Sequence, residues 1–232
     1  MGKSVAIVLA AGKGSRMKSD IQKQYLLIKD RPVIYYSLKA FEDSFIDEIV
    51  LVTGAEEISY CRDEIVKKYA FTKVTKIVAG GKERYHSVYA GLQAIEDCDY
   101  VFIHDGARPF VTEQILTRAY ETVKKEHACV VGMPVKDTIK LADESGYAAD
   151  TPRRDLLWIV QTPQVFSFSL IKEAYTVFLK QEQELRSQGI KMTDDAMVAE
   201  MFSDKKIRLV EGSYENIKIT TPEDLRIAEA FL

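Results

Sequence analysis

The sequence has few of the residues that mark a disulfide-stabilised, metal-binding or thiol-dependent protein. Its three cysteines, Cys61, Cys98 and Cys129, are far apart and form neither a Cys-x-x-Cys pair nor a cluster with histidine. An odd number of scattered cysteines is typical of structural thiols in a reducing compartment. We therefore expect free thiols without a catalytic or metal-binding role.

Long apolar runs and an excess of basic residues are also lacking. The longest apolar runs, such as VAIVLAA at residues 5–11, are far shorter than the roughly 20 residues that cross a membrane. That run ends in Gly-Lys-Gly without a signal-peptide cleavage site. The formal charge is −3, which excludes a chain-wide basic surface for nucleic acid. We expect a cytoplasmic protein that binds neither nucleic acid nor a membrane, and any anion site must be local.

The residues that are present suit an ordered protein with one domain. The chain has 232 residues, of which 47% are apolar and 29% charged, and this length is enough to bury a sizeable core. No repeat, low-complexity tract or linker interrupts it. We predict a single domain over residues 1–232.

Short β-branched runs and amphipathic segments alternate along the chain. The predicted strands cover residues 5–11, 47–54, 75–80, 100–110 (running into a loop), 128–135, 207–212 and 216–220. The predicted helices cover residues 32–43, 58–70, 84–95, 113–128, 167–188 and 194–202, and a last helix opens at Thr221-Pro222. This order predicts an α/β fold: a Rossmann-like, three-layer, mostly parallel sheet with helices on both faces. Ligands of such sheets bind beyond the carboxyl ends of the strands.

The pattern breaks after Met133. Two extended stretches are joined by the turn-forming residues Asp-Glu-Ser-Gly at 143–146, which predicts a β-hairpin that projects from the sheet. Two interpretations are equally open from periodicity: a surface hairpin without a role, or an arm that reaches another subunit.

The loop after the first predicted strand is the first candidate binding site. Its sequence, AAGKGSRM at residues 10–17, lacks the Gly-Lys-Ser/Thr of a P-loop, and Met17 stands where a dinucleotide fingerprint needs a small residue. Small residues let backbone N–H groups approach phosphate oxygens, and Lys13 and Arg16 add positive charge. On composition alone a structural turn is nearly as good an interpretation. Lys23, just past the loop, favours an anion site because a cation there could neutralise charge developing on phosphorus.

Leu9 to Met17 together with Lys23 resemble the LxAGxGxRM…K signature of nucleotidylyltransferases, which join sugar or polyol phosphates to nucleoside triphosphates. Further motifs resemble one branch, the 2-C-methyl-D-erythritol 4-phosphate cytidylyltransferase family. They are GGKERYHSV (80–88), HDGARPF (104–110), PVKDTIK (134–140), RDLLWIVQTPQVF (154–166), TDDA (193–196) and NIKITTPEDL (216–225). The resemblance covers nearly the whole chain. It implies cytidylyl transfer from CTP to a polyol phosphate, with Mg²⁺ or another divalent cation, for non-mevalonate isoprenoid precursor biosynthesis.

The resemblance also implies a role for each matching residue. The implied nucleotide-binding residues are Ala10, Ala11, Gly12, Gly14, Gly81 and Ser87. The implied catalytic residues are Arg16, Lys23, Asp105 and Lys218. The implied acceptor-binding residues are Asp105, Arg108, Thr138, Arg154, Thr193 and Lys218. The resemblance also implies that Asp105 binds the metal ion, unless the CTP phosphates alone hold that ion. From the residues alone, a carboxylate after such a strand favours a ligand or metal role for Asp105 over a role in the turn before Pro109, and Thr193 also suits a helix cap.

The family uses the hairpin as an arm. By resemblance, residues 134–157 form a dimerisation arm, and Thr138 and Arg154 bind the acceptor phosphate in the partner's site. Arg153 stands next to Arg154, so a register shift of one residue would exchange the two. The resemblance therefore implies a homodimer with composite sites. The planar fork of arginine suits phosphate.

Histidine is not needed for the implied reaction. The second pKa of a phosphate monoester is about 6, so its oxygen attacks at neutral pH with little help from a general base. We expect His86, His104 and His127 to be packing or surface residues.

Several alternatives stay open at this point. A ribitol 5-phosphate cytidylyltransferase would share the fold, the nucleotide and the reaction. A non-catalytic nucleotide-binding protein would share the fold and the nucleotide site without turnover, but would have no need of cations placed for a transition state. A dehydrogenase or an ATPase would need a complete fingerprint, which the loop lacks.

Overall fold

The computed structural model describes residues 2–12, 17 and 21–232. The strands are β1 (Ser4–Ala10), β2 (Leu27–Ile28), β3 (Arg31–Pro32), β4 (Glu48–Thr53), β5 (Val74–Ala79), β6 (Tyr100–Asp105), β7 (Ala128–Pro134), β8 (Leu141–Ala142), β9 (Ala148–Asp150), β10 (Trp158–Ser167) and β11 (Arg208–Glu211). The α-helices are α1 (Val33–Glu42), α2 (Ile58–Tyr60, continued by a π-helical stretch, Cys61–Lys67), α3 (Arg84–Ala94), α4 (Glu113–Glu126), α5 (Phe168–Ser187), α6 (Asp195–Phe202) and α7 (Pro222–Ala230). Each of these helices overlaps a predicted one.

Seven of these strands form the central sheet, in the order β11-β7-β10-β6-β1-β4-β5. All neighbours are parallel except β10, which runs antiparallel to both β6 and β7. From β1 the chain adds β4 and β5 on one side, and then returns to place β6 on the other side of β1. The strand order reverses here, and in α/β sheets such a reversal opens a crevice at the carboxyl ends.

Helices cover both faces of this sheet, as the alternation of strands and helices predicts. On one face, α1, α2 and α4 pack against alternate residues of the strands, such as Ala6 and Val8 of β1. On the other face, α3, α5 and α6 pack against the intervening residues, such as Val5 and Ile7. Full burial of one such aliphatic side chain contributes roughly 1.5–3 kcal/mol. The three-layer α/β architecture is therefore confirmed.

Strand β10 is the main feature of the sheet that the sequence did not reveal. The pattern after Met133 suggested only a projecting hairpin, whereas β10 returns into the sheet between β6 and β7. The hairpin itself is present, since β8 and β9 pair antiparallel across the predicted turn. Gly146 has φ of +84° in that turn, a conformation that glycine adopts without the strain of a Cβ atom. Residues 141–150 are all exposed.

The C-terminal segment packs back over the start of the chain. In α7, Thr221 and Asp224 form the expected capping box and Pro222 opens the helix. Ala228 of α7 and Ile219 pack against residues of β2 and α1. The predicted strand at residues 216–220 is wrong, because this segment pairs with no strand among the described residues. It is held instead by the Ile219 N–H, which donates to the carbonyl of Ala107 over 2.8 Å.

The three cysteines are free and buried, as predicted. Within the described residues, no helix combines the length and the apolar character that a bilayer span requires.

Candidate active site

A cavity of about 550 Å³ opens at the carboxyl ends of β1 and β6. Most of the residues predicted to bind ligands contribute to its wall. The lining residues are Leu9, Ala10, Ala11, Gly12, Lys23, Gln24, Gly81, Lys82, Glu83, Arg84, Ser87, Asp105, Ala107 and Lys218. Its position is the one that the reversal of strand order predicts.

One wall is the end of β1 and the short helical turn that follows the glycine-rich loop. The buried amide of Gln24 donates to the carbonyl of Ala10 over 2.5 Å and to the carbonyl of Gly12 over 3.2 Å. Gln24 belongs to a one-turn 3₁₀ helix, Lys23–Tyr25. The neighbouring Lys23 is thereby held beside the loop. The predicted residues Gly14 and Arg16 lie outside the described residues.

The opposite wall is the loop before α3. Ser87 Oγ accepts from the Gly81 N–H over 3.1 Å. At Gly80 an added Cβ atom would lie 2.6 Å from both Ala11 and Ser87, so glycine permits this close approach of the two walls. Glu83 and His86 form a capping box at the start of α3. The same loop therefore caps a helix and lines the cavity.

Asp105 ends β6 and lies between two cations. Its Oδ1 accepts from Arg84 Nε over 3.2 Å, and its Oδ2 accepts from Lys218 Nζ over 2.6 Å. Its backbone N–H donates to Thr162 of β10 over 3.1 Å. Burial alone would raise the pKa of the Asp105 carboxyl, but the Arg84 and Lys218 charges lower that pKa well below its usual range. Asp105 is therefore a fixed carboxylate at any physiological pH.

Arg84 and Asp195 complete this charged group, and neither was assigned a role from the sequence. Arg84 Nη1 and Nη2 donate to the two oxygens of Asp195 over 2.8 and 2.9 Å. The Asp195 side chain is fully buried and also accepts from the Tyr175 hydroxyl over 2.5 Å. Both residues stand in motifs that were recognised, GGKERYHSV and TDDA. Their contact spans 111 residues, and no local pattern signals such a pair.

Arg108 lies beside Asp105 in the turn after β6, where its backbone N–H donates to the Asp105 carbonyl over 2.9 Å. Its Nη1 donates to the carbonyl of Asn216 over 2.7 Å. Its own carbonyl lies 3.1 Å from His104 Nε2. Since His104 is fully buried and Thr162 lies 3.1 Å from its Nδ1, this histidine serves packing, as expected. His86 caps a helix and His127 ends α4 in a left-handed conformation.

Three predicted acceptor-binding residues lie away from this cavity. Thr193 lines a neighbouring cavity of about 620 Å³ between α3 and α5, and the adjacent Asp194 is the cap of α6. Thr138 is exposed on the arm. Arg154 is also exposed there and donates to the carbonyl of Lys136 over 3.0 Å, whereas Arg153 forms an ion pair with Asp155. Within one chain, these residues do not meet Asp105.

Comparisons with known proteins agree with one another. The family model of IspD, 2-C-methyl-D-erythritol 4-phosphate cytidylyltransferase, matches residues 4–232. A protein of that name from Lachnospira eligens is 55% identical over 230 residues, 99% of each chain. One from Lachnoclostridium phytofermentans is 50% identical over 232 residues, 100% of this chain and 97% of the relative. The crystal structure of 4-diphosphocytidyl-2C-methyl-D-erythritol synthase from Anaerococcus prevotii superposes with a TM-score of 0.85 at 34% identity, over 99% of this chain and 95% of that one.

Proposed function

Because the chain belongs to the 2-C-methyl-D-erythritol 4-phosphate cytidylyltransferase family, we propose that it makes 4-diphosphocytidyl-2-C-methyl-D-erythritol from CTP and 2-C-methyl-D-erythritol 4-phosphate. An oxygen of the acceptor phosphate forms a bond to the α-phosphorus of CTP. The bond from that phosphorus to the bridging oxygen breaks, and pyrophosphate leaves. The product is a precursor in non-mevalonate isoprenoid biosynthesis.

The observation that carries this proposal is the set of residues that line the cavity. The start of the glycine-rich loop, the Gly81–Ser87 turn and the Asp105–Lys218 pair share one space of about 550 Å³. A nucleotide needs a phosphate cradle and an edge for its base, and the acceptor needs polar partners beyond the α-phosphate. Residues beyond the carboxyl ends of β1, β5 and β6, together with Lys218, suit these three requirements.

The nucleotide side is assigned to residues of both walls. Backbone groups of Ala10, Ala11, Gly12 and Gly14 wrap the phosphates. Gly81 and Ser87 meet the cytosine ring. Arg16 and Lys23 neutralise the charge that develops on the α-phosphate and on the departing pyrophosphate.

The acceptor side is assigned to the group around Asp105. Its fixed carboxylate accepts from acceptor hydroxyls, Arg108 assists alongside it, and Lys218 directs a cation at the transferring phosphate. No residue needs to act as a general base, because the acceptor phosphate is already ionised at neutral pH. Catalysis is then positioning and charge neutralisation.

A divalent cation fits this donor set if it arrives with the nucleotide. Within the described ranges, no group of three or more acidic, histidine or cysteine side chains could hold a metal ion. Mg²⁺ is usually bound by one or two carboxylates together with substrate phosphates. Of the two described carboxylates that line this cavity, Glu83 and Asp105, Asp105 is the one that the family resemblance assigns to the metal, and CTP phosphates would supply the other ligands. Bound there, Mg²⁺ or another divalent cation neutralises part of the triphosphate charge.

The arm, residues 134–157, is assigned to a homodimer. Its apolar side chains are exposed in the single chain, including Leu141 at 51%, Tyr147 at 74% and Leu156 at 67%. A second subunit would cover them and bring Thr138 and Arg154 to the partner's acceptor phosphate. Thr193 joins the same acceptor region from the adjoining cavity. Water-soluble phosphorylated substrates and buried thiols fit a cytoplasmic enzyme.

Pyrophosphate release with CTP and Mg²⁺ tests this function. 2-C-methyl-D-erythritol 4-phosphate and ribitol 5-phosphate are supplied in parallel, and ATP, GTP and UTP then replace CTP. We expect turnover with CTP and methylerythritol phosphate to exceed every other pair. A preference for ribitol 5-phosphate, or nucleotide binding without turnover, would overturn the assignment.

A further inference from the structure

We propose that Asp195 is a positioning residue: its buried carboxylate fixes the Arg84 guanidinium, and Arg84 in turn fixes Asp105 for the acceptor. The inference rests on the proposed function, because it concerns the same acceptor site. It starts from the ion pair between Arg84 and Asp195. Neither of these residues has a role in the function proposed above.

The geometry of Arg84 leaves one edge for each carboxylate. Two of its nitrogens, Nη1 and Nη2, bind the two oxygens of Asp195, and its Nε binds Asp105. A bidentate pair of this kind fixes the plane of a guanidinium as well as its position. The direction of the Nε–H bond toward Asp105 is therefore set by Asp195.

Asp195 acts only through Arg84. Its side chain is fully buried and does not line the cavity, whereas Arg84 and Asp105 do. The Tyr175 hydroxyl binds Asp195 on a second side over 2.5 Å. Burial and the neighbouring carboxylate raise the pKa of the Tyr175 phenol well above its usual range, so this hydroxyl remains a donor. Asp195 is thus itself held in place.

The four side chains also balance in charge. Arg84 and Lys218 carry two positive charges, and Asp105 and Asp195 carry two negative ones. Without the Asp195 charge, Asp105 would be the only one of these two carboxylates left to balance Arg84 and Lys218. Arg84 would then turn its free edge onto Asp105 and compete with acceptor hydroxyls and with a metal ion. The acceptor step should suffer more than CTP binding.

The test compares Asp195→Asn with Asp194→Asn. Both variants lose one negative charge at the start of α6, and asparagine caps a helix about as well as aspartate. For Asp195→Asn we expect kcat/KM for 2-C-methyl-D-erythritol 4-phosphate to fall about tenfold or more, with the CTP dissociation constant changed by less than about threefold. For Asp194→Asn we expect both values within about twofold of the wild type.

Two further variants keep the test decisive. Tyr175→Phe removes one hydrogen bond to Asp195 and should cause a smaller loss of the same kind; it carries the test if Asp195→Asn does not fold. In an Arg84→Gln background, adding Asp195→Asn should cause no further loss, because coupled residues are not additive.

Equal losses in acceptor kcat/KM and in CTP affinity would make Asp195 a structural residue and overturn the proposal. Unchanged kcat/KM in a folded variant, or independent losses in the double variant, would overturn it as well. The wild type is measured first in the same assay. Absence of its activity would count against the proposed function, whereas an active wild type with an unaffected variant counts against this inference alone.

Discussion

Replacing Asp105 with asparagine removes the charge at the centre of the site while preserving its shape. In the wild type, Asp105 pairs with Arg84 and with Lys218. In Asp105→Asn, Arg84 keeps its ion pair with Asp195, but Lys218 loses its ion pair with the Asp105 carboxylate. Under the proposed function, the acceptor also loses its ionised partner.

The cost in stability follows from the exposure of the two cations. Removing one partner of a fully buried ion pair costs about 3–5 kcal/mol. Here the Lys218 side chain is 36% exposed, so water replaces part of the lost interaction, and Arg84 remains compensated. We therefore expect a loss of about 2 kcal/mol. For a domain of this size that loss lowers Tm by about 4–8 °C.

The pH dependence of this loss gives a sharper measurement. The folded pKa of Asp105 is lowered, and its unfolded value is about 3.9. Its stabilisation is therefore complete above the unfolded pKa and is lost as the pH falls below it. The difference in Tm between wild type and Asp105→Asn should be constant from about pH 6 to 8 and should narrow below about pH 4. Thermal unfolding followed by circular dichroism measures it.

Activity is measured on the same samples. We expect kcat/KM for the acceptor to fall about 100-fold or more, with little change in CTP affinity. A Tm difference that stays constant down to the lowest pH of cooperative unfolding would refute the electrostatic reasoning. Retention of a tenth or more of the activity (about 10%) would refute the role of the charge in catalysis.

The remaining predictions concern three other parts of the molecule. Burial lowers the pKa of His104 to about 4, below an unfolded value of about 6.5, so the free energy of unfolding should fall by about 2 kcal/mol from pH 8 to pH 5. His104→Gln should remove most of that change in urea titrations, and an NMR pKa near 6.5 would contradict it. Lys23→Ala or Lys218→Ala should lower kcat about 100-fold or more and CTP affinity far less; equal effects would indicate simple binding. Mixing inactive Arg154→Ala with inactive Lys23→Ala should restore activity through mixed dimers, and no recovery after demonstrated subunit exchange would argue against a shared site.

Local patterns predicted the elements because each depends on nearby residues. The period of apolar residues placed α5 within one residue of its observed ends, Phe168–Ser187. Pro and acidic residues after Thr221 located the start of α7. Helix caps and amphipathic faces depend on residues only a few positions apart, so a single sequence is enough to predict them.

The position of β10 could not be predicted in this way. Its place between β6 and β7 depends on pairing with residues far along the chain. Pro163 also argues against a central strand, because proline cannot donate to the ladder. In the structure Pro163 falls where the pairing with β7 is irregular, between Val160 and Gln164. The ladder therefore has no regular bond at the position where proline lacks its N–H.

The candidate site was predictable as a set of residues and not as a set of contacts. Motifs led to Lys23, Asp105 and Lys218, which line one cavity. The motifs did not show that the Asp195 carboxylate neutralises the Arg84 guanidinium, because these two residues are 111 positions apart in the chain.

The Lys218–Asp105 contact has a consequence for the synthesis of the protein. The two residues are 113 positions apart, and the carbonyl of Asn216 that holds Arg108 comes equally late. A ribosome has therefore made the glycine-rich loop and all of the sheet before it adds the second cation at Asp105. A chain interrupted before Asn216 lacks Lys218, the cation that the proposed function needs at the transferring phosphate, and it also lacks α7. Under the proposed function, full turnover therefore requires that translation has passed this point.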